Sequence, residues 1–329
     1  MYVPTFGDVV AARDFISKHL AKTPLVHLAS ISDTLGCEYY AKLENLQPVG
    51  AFKVRGGVNL VGTSEPAELK KGLVTASTGN HGQSIAFAGR IFNTRVVIYA
   101  PAENVNPLKL KAMRNLGAEV RLHGRDFDEA RLETERAAQA EGFRYVHSAN
   151  EPKLISGVGT IGLEIFEDLS DVDVIIAPAG GGSCAAGICL VAKELNPRVQ
   201  VIAVQSEAAP AMWHAWSNRS LEAFPTMYTR HEGLATRVPF ELTNNILWKL
   251  LDDFVLVNDD EIDHAIGLLA TGAKQVSEGA GAASLAAALK IKSTLGGKKV
   301  VGIVSGGNIP ATTFASIVSD YQSREGALN

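Results

Sequence analysis

The chain has 329 residues, 46% of them hydrophobic and 20% charged, and a formal net charge of −4. This length is enough for about two domains with buried cores, and the slight excess of acids argues against a nucleic-acid or anionic-membrane partner, which would favour a basic surface. The N-terminus lacks a basic segment followed by an apolar run, and no apolar run is long enough to span a bilayer. The three cysteines (Cys37, Cys184 and Cys189) lack CxxC spacing. Their number and spacing argue against a disulfide framework or a structural zinc site and predict a cytoplasmic protein.

Short β-branched runs alternate with amphipathic helical segments along the whole chain. Most of the predicted strands are continuously apolar, which is typical of strands in a parallel sheet that helices cover on both faces. The pattern predicts an α/β protein with two open, mainly parallel sheets. The predicted strands are 38–43, 73–77, 95–99, 119–122, 172–177, 199–204, 254–257 and 299–304. The predicted helices are 8–20, 81–92, 107–116, 127–141, 159–169, 185–195, 243–251, 260–271 and 282–290, with one more beginning near residue 310.

Four segments have a composition that is unusual for connecting loops. Open parallel sheets carry their functional residues in loops at the carboxyl ends of strands. Three predicted loops of this kind are 77–81 (STGNH), 180–183 (GGGS) and 305–308 (SGGN). The fourth segment, 50–57, holds a lysine, Lys53, between apolar residues and glycines. We take these four segments as the candidate site.

The loop of Gly180, Gly181, Gly182 and Ser183 follows a strand and precedes a helix. Consecutive glycines let backbone N–H groups point at a ligand together, and the helix adds its positive end, so the loop suits a phosphate. The alternative is a turn without a ligand. A P-loop would need Gly-Lys-Ser/Thr, and a dinucleotide fingerprint would need glycine where the chain has Ala185. A phosphate monoester therefore fits better than a pyrophosphate, which disfavours a nicotinamide dehydrogenase.

Lys53 is the candidate nucleophile. An amine whose pKa is lowered by apolar surroundings or by a nearby positive charge becomes a usable nucleophile and base. Phe52 and Val54 supply apolar neighbours, and Arg55 is either such a charge or an exposed neighbour. Because most lysines are solvated surface cations, this segment alone is a weak signal.

The loop from Ser77 to His81 offers hydroxyls, an amide and an imidazole before a helix N-terminus, which suits a substrate carboxylate. The alternative is that Thr78 or Asn80 only caps the helix and His81 only packs. Ser305 has two interpretations as well: its hydroxyl faces a ring nitrogen, or its segment is an ordinary turn.

Taken in order, these segments resemble the threonine/serine dehydratase and serine racemase branch of the fold-type II enzymes that depend on pyridoxal 5′-phosphate (PLP). The resemblance covers nearly the whole chain, and several motifs in order are far more specific than any one of them. The motifs are KLENLQP (42–48), FKVRG (52–56), STGNHGQ (77–83), GVGTIGLEI (157–165), EGAGA (278–282) and SGGN (305–308).

The resemblance implies a role for each candidate segment. Lys53 would form a Schiff base with PLP and later take the Cα proton of the substrate. Phe52 would lie against the pyridine ring, Asn80 would bond its hydroxyl group, and Ser305 would meet its nitrogen. The expected cofactor-binding residues are Phe52, Lys53, Asn80, Gly180, Gly181, Gly182, Ser183 and Ser305. The expected substrate-binding residues are Ser77, Thr78, Asn80 and His81.

The implied reaction is β-elimination from a small β-hydroxy amino acid, such as L-threonine or L-serine, to a 2-oxo acid and ammonia. The implied cofactor site lies in a cleft between a large domain of residues 1–48 and 150–329 and a smaller mobile domain of residues 49–149. A homodimer is the expected assembly. Catalytic roles are expected for Lys53 and for Thr78, whose position carries a serine in serine racemases and alanine in many dehydratases. Threonine keeps the hydroxyl but adds a stiff methyl group, so we predict a dehydratase with little or no racemisation.

One departure from the family pattern concerns metal binding. Members that bind a divalent cation carry acids at the positions of Gln205 and Ala211. Hard cations need several oxygen ligands, so we predict no metal site and a metal-independent enzyme. The alternative is that Glu207 acts as a displaced ligand.

Other interpretations stay open. One is a serine or hydroxyaspartate racemase. Another is a dehydratase for a bulkier β-hydroxy amino acid, with Trp213, Trp216, Phe224 or Tyr228 shaping the pocket. A rival of another class is a non-catalytic protein that binds amino acids or PLP, against which the intact Lys53 argues.

Overall fold

The computed structural model describes residues 1–103, 107–125 and 127–326, so a few positions within both predicted domain ranges lie outside the described residues. The described residues form ten strands in two sheets. The strands are β1 (Leu25–His27), β2 (Glu38–Leu43), β3 (Leu73–Ala76), β4 (Val96–Ala100), β5 (Glu119–Leu122), β6 (Arg144–Tyr145), β7 (Val174–Pro178), β8 (Gln200–Ser206), β9 (Asp253–Val257) and β10 (Lys299–Val304).

Both sheets are mainly parallel, which confirms the predicted fold class. The larger sheet has six strands in the order β1-β2-β10-β7-β8-β9, and only the β1–β2 pair is antiparallel. The smaller sheet has four parallel strands in the order β5-β4-β3-β6. Its strands all fall between β2 and β7 in the chain, so the smaller sheet is an insertion between two strands of the larger one.

Helices connect the strands. They are α1 (Phe6–Ile16), α2 (Ala29–Leu35), α3 (Lys53–Gly62), α4 (Pro66–Leu69), α5 (Asn80–Ile91), α6 (Pro107–Asn115), α7 (Phe127–Glu141), α8 (Pro152–Asp168), α9 (Ser183–Leu195), α10 (Ala211–Asn218), α11 (Glu241–Leu250), α12 (Asp259–Gly272), α13 (Gly279–Lys290) and α14 (Ala311–Gly326). None of the described helices combines the length and apolar character needed to cross a membrane.

Strand β7 illustrates why the central strands are continuously apolar. All five of its residues are buried. Val174 and Ile176 pack into a core with α12 and α13, whereas Ile175 and Ala177 pack into a second core with α8, α9 and α11. Side chains alternate between the two faces of a strand, so a sheet with helices on both faces needs apolar residues at every position.

Helix α3 was not predicted, because the glycine pair Gly56–Gly57 disfavours a helix. These glycines instead allow neighbouring helices to approach closely. A Cβ atom on Gly57 would lie 2.3 Å from the Ser84 hydroxyl oxygen on α5, and one on Gly56 would lie 2.9 Å from the Leu154 carbonyl oxygen on α8. The prediction also placed the start of α8 seven residues too late and missed the short elements α2, α4, α10, β1 and β6.

Candidate active site

A cavity of about 770 Å³ brings the four candidate segments together. It lies where loops of the smaller sheet meet loops of the larger one. Three of these loops directly follow the parallel strands β3, β7 and β10, and the fourth segment leads into α3. The lining includes every candidate residue: Phe52, Lys53, Ser77, Thr78, Asn80, His81, Gly180, Gly181, Gly182, Ser183 and Ser305.

Lys53 is the first residue of α3, and its amine lies inside the cavity. The nitrogen is 3.0 Å from the Ser183 hydroxyl oxygen and 5.1 Å from the centre of the Phe52 ring. Burial lowers the pKa of the Lys53 amine to about 8. Because a buried ammonium group loses hydration, the neutral amine is far more populated here than in an exposed lysine.

The glycine loop presents backbone donors to the same space. Among the described residues, the N–H groups of Gly181, Gly182 and Ser183 have no hydrogen-bond acceptor. Gly182 has a φ of 81°, which favours glycine. A Cβ atom on Gly180 would lie 2.1 Å from the Gly233 carbonyl oxygen. The loop therefore forms a set of unpaired donors at the N-terminus of α9, and a side chain would not fit at Gly180 or Gly182 without a shift of the neighbouring atoms.

The side chain of Ser77 organises the next loop. Its oxygen accepts hydrogen bonds from the N–H groups of Gly82, at 2.8 Å, and Gly79, at 3.1 Å. The residue preceding α5 is Gly79, and no side chain caps from that position. The Asn80 side-chain oxygen accepts from Asn308, and the Ser77 oxygen accepts from the Gly82 N–H of α5, so the capping side chain is that of Ser77. Thr78 is half-buried and lines the cavity.

His81 is held as a neutral imidazole. Its Nε2 atom lies 2.9 Å from the Thr75 hydroxyl oxygen, and the residue is only 7% exposed. Burial, with smaller contributions from Lys53 and His147, lowers the pKa of His81 to about 3. The ring is therefore uncharged at neutral pH.

Ser305 directly follows β10 and lies beside Phe52. Its carbonyl oxygen accepts a hydrogen bond of 3.0 Å from the Phe52 N–H, and an isolated bridge joins Ala51 to Gly306. In the part of the chain that the structure describes, no group bonds to the Ser305 hydroxyl. Ser305 is among the residues that line the cavity.

Glu278 and Asn308 also belong to the site, although no role was predicted for them. The Asn80 amide donates to the Glu278 carboxylate at 2.5 Å and accepts from the Asn308 amide at 2.8 Å. Burial raises the pKa of the Glu278 carboxyl to about 7. The sequence did hold a signal for Glu278, because it is the one acid in a motif (278–282) whose other residues are small and apolar.

Residues of the segment 225–240 form one wall of the cavity, and of these only Tyr228 had been considered for the site. The Phe240 ring packs edge-on against His147, with centroids 5.2 Å apart. At the rim, the Lys109 ammonium of α6 pairs with the Glu232 carboxylate at 2.5 Å. Of the four aromatic residues considered for a larger side-chain pocket, Tyr228 lines the cavity. The other three do not: Trp213 and Trp216 pack against a hydrophobic core, and Phe224 packs on His214.

Arg55 is neither exposed nor a free charge beside Lys53. Its guanidinium donates to the Glu44 carboxylate at 2.8 Å and to the Glu164 carboxylate at 2.7 Å. Lys42 donates to Glu164 at 2.6 Å, and all four side chains are at most 3% exposed. This buried quartet of Lys42, Glu44, Arg55 and Glu164 ties the first turn of α3 to β2 and α8.

Gln205 is buried, and its side-chain carbonyl accepts the N–H groups of Met212, at 3.0 Å, and Trp213, at 3.1 Å. Its oxygen is thus engaged in holding the start of α10. Glu207 is exposed. Within the described ranges, no group of three or more His, Cys, Asp or Glu side chains is arranged to hold a metal ion.

Residues 16–306 match the family model of the pyridoxal-phosphate dependent enzymes. The chain belongs to this family. Its resemblance to this family is confirmed, and pyridoxal phosphate is the cofactor of its members.

Named relatives and solved structures narrow the comparison. An L-threonine ammonia-lyase of Thermotoga maritima is 40% identical over 316 residues, which cover 96% of this chain and 78% of that protein. The structure of threonine deaminase isoform 2 from Solanum lycopersicum is 31% identical, with a TM-score of 0.89 over 95% of this chain and 91% of the other. Serine racemase from Dictyostelium discoideum is 32% identical, with a TM-score of 0.87 over 93% and 99% of the two chains.

The residues of the cavity fit pyridoxal phosphate. The cofactor needs an amine for its aldehyde, donors for its phosphate and a flat apolar contact for its ring. Lys53 supplies a buried amine with a lowered pKa, and the glycine loop supplies three unpaired N–H donors. The Phe52 ring lies 5.1 Å from the amine, and Ser305 is joined to Phe52 through a backbone hydrogen bond.

Proposed function

We propose that this chain uses PLP attached to Lys53 to remove water from a small β-hydroxy amino acid. L-Threonine and L-serine are the expected substrates. The Cβ hydroxyl leaves with a proton as water, and the unsaturated amine that remains then takes up one water to give a 2-oxo acid and ammonia. The observation that carries the proposal is the Lys53 amine, which lies 3.0 Å from Ser183 at the glycine loop. The similarity to proteins named as threonine ammonia-lyases and threonine deaminases supports the choice of reaction.

Each part of the cavity has a proposed role in holding the cofactor. The N–H groups of Gly180, Gly181, Gly182 and Ser183 hold the phosphate, which the positive end of α9 also favours. Phe52 contacts the ring, and the Asn80 amide bonds the ring hydroxyl group. Ser305 faces the ring nitrogen with a hydroxyl, which carries no charge.

The substrate carboxylate is proposed to bind at the start of α5. The hydroxyls of Ser77 and Thr78, the Asn80 amide and the neutral His81 surround this position, and the positive end of the helix favours an anion. When bound, pyridoxal phosphate supplies the electron sink that makes the Cα proton acidic. Lys53 then holds the proton that leaves Cα, and its lowered pKa suits both accepting and releasing that proton near neutral pH.

Thr78 raises a second candidate, a serine or hydroxyaspartate racemase. Thr78 lines the cavity. We propose that its hydroxyl would protonate the opposite face of Cα in a racemase. We keep elimination as the main activity. Rapid conversion of L-serine to D-serine that disappears in Thr78→Ala would reverse this order, whereas 2-oxo acid formation without D-serine supports it.

We propose the same domain division that the sequence suggests, with residues 49–149 as a smaller mobile unit beside residues 1–48 and 150–329. Closure of the smaller unit would keep water from the reacting atoms. We also propose a homodimer in the cytoplasm. The proposed location is supported by the three cysteines, which are free and buried.

The test is a panel of L- and D-β-hydroxy amino acids with detection of 2-oxo acids and ammonia. We expect turnover of L-threonine or L-serine, and neither turnover nor a visible cofactor band in Lys53→Ala. Lys109→Ala, which removes another lysine from the cavity wall, is the matched control and keeps the band. A colourless wild-type protein in the presence of PLP, or an unchanged spectrum in Lys53→Ala, would refute the proposal. Cofactor binding without turnover of any substrate would favour a non-catalytic binding protein.

A further inference from the structure

A series of hydrogen bonds joins four segments that are distant in the sequence, those of Val49, Asn80, Glu278 and Asn308. The Asn308 amide nitrogen donates to the Val49 carbonyl oxygen at 2.9 Å and to the Asn80 side-chain oxygen at 2.8 Å. The Asn80 amide nitrogen donates in turn to the Glu278 carboxylate at 2.5 Å. Glu278 therefore lies at one end of this series of hydrogen bonds, and the Val49 carbonyl lies at the other.

The acceptors at the two ends of this series determine how the side-chain amides of Asn80 and Asn308 are oriented. A carbonyl can only accept, so Asn308 must direct its NH₂ group to Val49 and its second hydrogen to Asn80. An ionised carboxylate can also only accept, so Asn80 must direct its NH₂ group to Glu278. One hydrogen of the Asn80 NH₂ group then has no acceptor among the described residues, and Asn80 lines the cavity.

The surrounding backbone leaves room for this arrangement. A Cβ atom on Gly306 would lie 2.4 Å from the carboxylate oxygen of Glu278, and one on Gly50 would lie 3.0 Å from the side-chain oxygen of Asn308. Gly50 also has a φ of 67°. Glycines at these two positions therefore allow the acid and the amide to pack against the loops.

We propose that Glu278 is a positioning residue, which acts with Asn308 to hold the Asn80 amide so that an N–H group, and not a carbonyl, faces the cavity. This inference rests on the proposed function, because it concerns the amide proposed to bond the ring hydroxyl group of the cofactor. An ionised ring oxygen needs a donor at this position, and a flipped amide would present an acceptor.

The charge on Glu278 depends on pH in the physiological range. Its pKa is raised to about 7 by burial and by Glu232, while Lys109 and the Asn80 hydrogen bond oppose the rise. His231 also faces this region, because its ring lies next to Gly279. Above about pH 7 the carboxylate is ionised and accepts a charge-assisted hydrogen bond, whereas below it the neutral acid binds the amide less strongly.

The experiment compares cofactor binding and visible spectra in Glu278→Gln, Glu278→Ala, Glu232→Gln and Asn80→Ala. The wild-type spectrum should change with a midpoint near pH 7. Glu278→Gln should lose this transition. The matched control Glu232→Gln, which removes a neighbouring acid, should keep it with a lower midpoint. Glu278→Ala should weaken cofactor binding about 10-fold, as expected for loss of one charge-assisted hydrogen bond.

A double-variant cycle separates positioning from a general structural role. If Glu278 acts through Asn80, Glu278→Ala should have no further effect on the Kd for the cofactor in the Asn80→Ala background. Additive losses, or a transition that persists in Glu278→Gln, would overturn the inference while leaving the proposed function intact. A wild-type protein without any cofactor band would overturn both.

Discussion

The amine nitrogen of Lys53 and the hydroxyl oxygen of Ser183 lie 3.0 Å apart, although 130 positions separate them in the chain. Each is the first residue of a helix, α3 or α9, so the two side chains meet from two helix N-termini. Positive helix ends favour an anion and disfavour a further cation. This arrangement supports the proposal of a neutral Lys53 amine beside the phosphate of the cofactor.

The lowered pKa of Lys53 predicts how cofactor attachment depends on pH. Only the neutral amine attacks an aldehyde, so the attachment rate of the cofactor-free protein should rise about 10-fold per pH unit up to about pH 8 and then level off. Stopped-flow absorbance at saturating PLP measures this rate. A rate that keeps rising to about pH 10, as for an ordinary lysine, would contradict the burial effect.

Gly180→Ala should weaken cofactor binding by about 10- to 100-fold. The new Cβ atom would lie 2.1 Å from the Gly233 carbonyl oxygen, and the shift needed to relieve such overpacking costs about 1–3 kcal/mol. Spectrophotometric titration with PLP gives the Kd. Gly296→Ala is the matched control, because nothing lies within 4 Å of its added Cβ atom. Equal affinities for the two variants would rule out a tight fit at the loop.

Arg55→Met should lower the free energy of unfolding by about 3–5 kcal/mol, because it leaves the buried carboxylates of Glu44 and Glu164 without their main partner. Denaturant unfolding of the cofactor-free protein measures this change. Arg136→Met, which removes an exposed arginine paired with Glu133, should have little effect. A small loss for Arg55→Met would mean that the two acids are protonated or hydrated in the variant.

Activity should survive removal of divalent cations. The Gln205 oxygen already accepts two backbone N–H groups, and hard cations need several oxygen ligands. We expect the same kcat before and after treatment with a chelator and no gain on adding magnesium. If the chelator lowers the activity, magnesium restores it, and Glu207→Ala prevents that recovery, Glu207 would be identified as a displaced ligand.

The positions of the site loops could be predicted from the sequence, whereas the contacts between these loops could not. The segments at Ser77, Gly180 and Ser305 could be located because each follows a buried parallel strand, and open parallel sheets carry their functional residues in such loops. Helix α3 escaped prediction because Gly56 and Gly57 serve helix packing, which helix propensity does not report. The bond from Asn80 to Glu278 spans 198 positions, and no local pattern encodes such a pairing.

The buried quartet of Lys42, Glu44, Arg55 and Glu164 also constrains how this protein can evolve. Two cations balance two anions out of reach of water, so a change at one position alone leaves an unmatched charge. An apolar set of similar volume can be as stable as a buried ion network, but it requires several substitutions at once. We therefore expect descendants of this chain either to keep all four residues or to replace several of them at once.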